Sequence, residues 1–173
     1  MNAPTLLSSC AHAAGAAEAR FRVDYPNARA RASRIVALDD GAAAVMRQVA
    51  HEDWDGARFL TFRAARSAPG IAGLTLDATL AAEDGEETRL SAELEGADVV
   101  VMIASAGHGA EGAAVVGNAC SVRSIMTAGL IVAPRRDDPG VERAVQVLRP
   151  HAAVLVIASD PDFVPAMLTA LRA

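Results

Sequence analysis

The chain has 173 residues, 52% of them apolar, and a formal net charge of −5; this is about one domain's worth, with enough apolar residues for one sizeable core. All 16 basic residues are arginine, which excludes a P-loop lysine, a Schiff-base lysine and a lysine general base. The acidic balance supplies no positive field for a nucleic-acid backbone or an anionic membrane surface, and no run approaches the roughly 20 apolar residues of a membrane span.

Residues 1–32 combine Pro4, Gly15, Pro26 and scattered arginines without a sustained period, so they are expected to form an N-terminal arm. The apolar stretch Ala11 to Ala19 lacks the basic flank of a secretory signal, and a cytoplasmic location is expected. Residues 33–173 read as a single α/β domain. The spacing predicts strands at Arg34–Leu38, Ala57–Phe62, Asp98–Ala104, Ala128–Ala133 and Ala153–Ala158. These are nearly continuous apolar runs, as in parallel strands buried on both faces. Helices are expected between them, at Ala42–Ala50, about Glu86–Glu95, Ala113–Ile125, Val141–Leu148 and Asp162–Leu171. The segment Leu74 to Thr88, with Glu83-Asp84-Gly85-Glu86-Glu87, reads as an exposed acidic turn.

This alternation predicts a three-layer fold, a mostly parallel sheet with helices on both faces, and places any ligand at the carboxyl ends of the strands. Alanine accounts for 40 residues and aromatics for 3%, so helices are expected to lie close on the sheet. Cys10 and Cys120 are read as small apolar residues, and Trp54 as a plug for a helix-to-strand turn.

Three loops carry candidate chemistry. Asp39-Asp40-Gly41 follows the first strand; it could hold Mg²⁺ or supply a base, but helix capping is the simpler account. Gly107-His108-Gly109-Ala110-Glu111-Gly112 is a literal G-x-G-x-x-G between a strand and a helix, the context in which backbone amides receive a phosphate. With Arg135 or Arg136 for a 2′-phosphate it would make an NADP site, although Glu111 puts a negative charge beside the phosphates. His108 is a candidate proton shuttle. A small-molecule sensor with a pocket around Asp39, His108 and Asp160 is a further possibility, and Arg135-Arg136-Asp137-Asp138 reads as a self-paired charged loop.

Taken in order, these segments resemble the nucleotide-binding domain of FtsZ, the bacterial tubulin-like division GTPase, over about 130 residues. Arg34 to Ala65 is similar to the family's first strand, glycine loop, helix and second strand. Leu94-Glu95-Gly96-Ala97-Asp98-Val99-Val100-Val101-Met102 is similar to the strand leading into its glycine-rich signature loop. Ala128 to Pro134 is similar to the next strand, and Ala144 to Asp160 to the segment that ends in the guanine-reading motif. The resemblance implies a GTP or GDP site built from Asp39, Asp40, Gly41, Gly107, His108, Gly109, Gly112 and Ser159.

The departures from the family imply that this chemistry is largely lost. The first loop reads Leu38-Asp39-Asp40-Gly41-Ala42-Ala43 rather than a string of glycines. His108 and Glu111 replace signature glycines, and Ser159 replaces the guanine-reading asparagine. The family's Gly-rich, phosphate-covering loop is deleted around Ala81 to Glu87. Carboxylates within a few ångström of a triphosphate oppose its binding, so weak GTP affinity is expected. The expectation is a non-catalytic interaction or filament-modulating module, partnered by a second copy or an FtsZ-type protein.

Overall fold

The first strand sets the architecture, because its side chains alternate between two buried faces. In the computed structural model, which describes residues 31–66, 76–106, 112–135 and 137–171, β1 (Ser33–Ala37) runs parallel to both β2 (Ala57–Arg66) and β5 (Val99–Ser105). Ile35 and Ala37 face one helical layer, and Val36 faces the other. Continuing outward, β6 (Met126–Val132) and β7 (Val154–Ala158) extend the parallel ladder. On the far side, β3 (Asp77–Ala82) and β4 (Glu87–Arg89) are added antiparallel next to β2. The seven-stranded order is β4-β3-β2-β1-β5-β6-β7.

Among the described residues, two helices cover one face: α1 (Asp40–Val49) and α5 (Phe163–Ala170), whose Ala42, Met46, Val164 and Leu168 pack on Ile35, Val101, Ile103 and Leu130. The other face carries the short α2 (Leu90–Glu93) with α3 (Gly112–Ser121) and α4 (Pro139–Leu148). Their Leu90, Val116, Ala119, Ala144 and Leu148 pack around Val36, Leu60, Val100, Met102 and Ile131. The expected three-layer, mostly parallel α/β arrangement is present.

Two expectations need correction. The stretch read as an acidic turn contains a strand: Asp77–Ala82 pairs with β2, and only Glu83 to Glu86 makes the turn. The helix expected from Glu86 begins at Leu90 instead, because Glu87–Arg89 forms the β4 edge. Ala-rich and acidic residues have weak strand propensity, so pairing with the long β2 decides the state of this hairpin. The arm assigned to residues 1–32 lies almost wholly outside the described residues.

A charged cluster sits inside this otherwise apolar frame. Arg34 and Arg58 are direct neighbours across the β1–β2 ladder, a repulsive placement. Glu93, buried on α2, lies 3.2 Å from each: its Oε2 from Arg34 Nε and its Oε1 from an Arg58 guanidinium nitrogen. The Arg34 contact is an ion pair without hydrogen-bond alignment. The four-residue α2 thus delivers a carboxylate that joins the two arginines.

Candidate functional site

β1 is flanked by β2 on one side and β5 on the other, so the chain leaves its end towards one helical layer and leaves β5 towards the opposite one. Such a reversal opens a crevice beyond the carboxyl ends of the two strands. α1 starts there on one face and α3 on the other; the loop 39–41 singled out in the sequence belongs to this point, whereas 107–111 lie outside the described residues.

Asp39 lies at this switch point. It is the N-cap of α1: its backbone is extended, and Oδ1 accepts the Ala42 amide at 2.8 Å. Its second oxygen, Oδ2, accepts the amide of Ser105, the last residue of β5, at 2.8 Å. One carboxylate therefore ties the helix after β1 to the end of β5. Gly41 lets this happen, because a Cβ there would stand 2.7 Å from Ser105 Oγ. Asp40, the first residue of α1, points its charge into solvent, where it also complements the helix dipole.

The neighbouring loops repeat the pattern. Asp138 caps α4 by accepting the Gly140 amide at 2.8 Å, and Gly140 is pressed so closely on the Ala106 carbonyl that a side chain there has no room. Past β7, Asp160 Oδ1 accepts the Asp162 amide at 2.9 Å. At this edge, protein carboxylates hold amides of the kind that bind phosphate in nucleotide sites.

Of the remaining sequence candidates, Gly112 is the buried first residue of α3, and a Cβ there would lie 2.9 Å from the Phe62 ring. Ser159 is exposed just after β7. Gly107, His108, Gly109, Glu111 and Arg136 fall outside the described residues. Arg135 is paired with Asp137 at 3.0 Å in full solvent, and this bond holds the Asp137 carboxyl below its usual range. Asp39 and Asp160 both lie at the carboxyl edge of the sheet. The described residues contain no group of three or more His, Cys, Asp and Glu able to hold a metal ion.

Other candidates resolve structurally. Cys120 is buried in α3, and burial pushes its thiol up to about 12, so it is protonated and unreactive. Trp54 packs edge-on against Phe59 with ring centres 6.0 Å apart and donates to the Val49 carbonyl, plugging the turn between α1 and β2. Two open cavities lie at the opposite, amino-end edge of the sheet. One of about 610 Å³ is lined by Asn118, Ser121, Thr127 and His151, and one of about 580 Å³ by Trp54, Arg58 and Glu83.

Neither Ser105 as the partner of Asp39 nor the Arg34–Glu93–Arg58 cluster is legible in the sequence. A backbone amide leaves no signal in residue type, and Glu93 sits 59 positions from Arg34. No protein-family model matches the chain, and no curated protein is significantly similar to it. No described helix is long and apolar enough to cross a membrane.

Proposed function

We propose that this is a degenerate nucleotide-binding domain of the FtsZ/tubulin-like type, used as a non-catalytic protein-interaction module. The observation that carries this reading is the Asp39 carboxylate, which takes the Ala42 and Ser105 amides at the switch point of the sheet. A phosphate would have to displace it and would then meet Asp40 as well, with no lysine anywhere in the chain to offset the repulsion. A domain built this way keeps the fold's rigid strand-end face for another protein, a second copy or an FtsZ-type protomer.

The test is equilibrium titration with GTP and GDP, with and without Mg²⁺, alongside sedimentation of FtsZ polymers in the presence of the protein. No saturable nucleotide binding and altered polymer recovery are expected. GTP binding at micromolar strength, or polymers unaffected by excess protein, would overturn the reading.

One observation favours a second reading, a Rossmann-type NADP-binding enzyme or sensor. Gly112, the last glycine of the G-x-G-x-x-G run, begins α3 against Phe62, the close helix–strand approach that this glycine serves in dinucleotide sites. Saturable NADPH binding, weakened by Gly109→Glu, would favour it over the first.

A further inference from the structure

The two edges of the sheet are guarded differently. β4 is three residues long and carries Glu87 and Arg89, and short charged strands resist pairing with another chain. β7, at the opposite edge, is Val-Leu-Val-Ile-Ala, with no charge, no proline, and β6 as its only partner among the described residues. Val154 and Ile157 are 50% and 39% exposed, and Phe163, just beyond the strand, is 48% exposed. In a parallel ladder, alternate residues turn both backbone groups to the same neighbour. The Ala158 carbonyl accepts from Ala133 on the β6 side, so Leu155 and Ile157 turn theirs outward.

We propose that β7 is a self-association edge, and that a second copy of this chain pairs with it antiparallel across a two-fold axis near Val156. Leu155 of one copy then faces Ile157 of the other, and their outward backbone groups form four hydrogen bonds that join two seven-stranded sheets into one. The charges flanking the strand select this occupant and its direction. Arg149 and His151 precede β7, and Asp160 and Asp162 follow it. Antiparallel pairing brings the basic end of each copy beside the acidic end of the other, whereas parallel pairing sets like charges together. A two-fold contact of this kind closes on itself, so the product is a dimer. The contact is on the side of the sheet, away from the strand-end face, and stands or falls independently of the function proposed above.

Sedimentation velocity of the purified full chain across the micromolar range tests it, with circular dichroism as the check on folding. A concentration-dependent dimer is expected. Ile157→Lys, which places a charge on the outward edge, is expected to weaken it by about tenfold or more. Arg149→Glu is expected to weaken it roughly two- to fivefold, and the double variant Arg149→Glu/Asp162→Arg to restore it, a rescue that no loss of folding can mimic. A monomeric wild type, a dimer indifferent to Ile157→Lys, or a charge swap without rescue would overturn the proposal.

Discussion

The two ends of the central β1–β5 pair are tied in the same way and are chemically opposite. At the carboxyl end, Asp39 after β1 accepts the Ser105 amide of β5; at the amino end, Asp98 before β5 accepts the Ala32 amide before β1 at 2.9 Å. Beyond these ties the ends diverge. The carboxyl end holds the capped starts of α1 and α4 and the turn closed by Asp160, with carboxylates bonded to amides, while the amino end holds the Arg34–Glu93–Arg58 cluster and lies on the side of both open cavities. In an open α/β sheet a ligand is expected at the carboxyl end. Here the protein's own aspartates hold amides at that position and tie the strand ends to the helices that follow.

Breaking the amino end is expected to have the largest effect on stability. Glu93→Ala removes the carboxylate that lies between Arg34 and Arg58, and should cost about 3 kcal/mol, read as a lower urea midpoint at unchanged slope. A loss similar to that of an exposed ion pair would mean that water reaches Arg34 freely. At the carboxyl end, Gly140→Ala forces a methyl group against the Ala106 carbonyl and should cost about 2 kcal/mol by displacing the start of the loop after β5.

Asp39→Ala addresses the comparison most directly. It removes a helix cap and one acceptor for Ser105, a loss of about 1.5 kcal/mol by urea unfolding. It also frees two amides, so phosphate or GTP affinity, measured by calorimetry, should rise relative to the wild type. Unchanged affinity would show that the carboxylate is not what keeps anions out.

The smallest effect is expected at Arg135. Arg135→Gln should let the Asp137 carboxyl titrate closer to its usual range, visible by NMR. A carboxyl held low favours the fold only above its usual pKa and loses that contribution as pH falls. Here both partners are in water, so the thermal midpoint should not move at any pH.

Much of this was legible in the sequence. β1, β5 and β6 are apolar runs buried on both faces, as interior strands of a parallel sheet require, so the pattern and the three-layer class follow together; β2 and β7, read the same way, are partly exposed instead. Asp39-Asp40 before Gly41-Ala42 carried the signature of a helix cap without saying which aspartate serves, and Arg135-Arg136-Asp137-Asp138 that of a self-paired charged loop. These are interactions within a few residues, for which side-chain type and spacing are enough.

What tertiary structure alone decided are the long-range pairings. Asp77–Ala82 became a strand because β2 offered it an edge, against the preference of its own composition. Glu93 became the hinge of a charged cluster because β1 and β2 brought Arg34 and Arg58 side by side. The second oxygen of Asp39 found Ser105, 66 residues away, because strand order put β5 next to β1. Periodicity and capping are written in neighbouring residues, whereas sheet order, and with it the chemistry of both ends of β1, exists only once distant segments share a ladder.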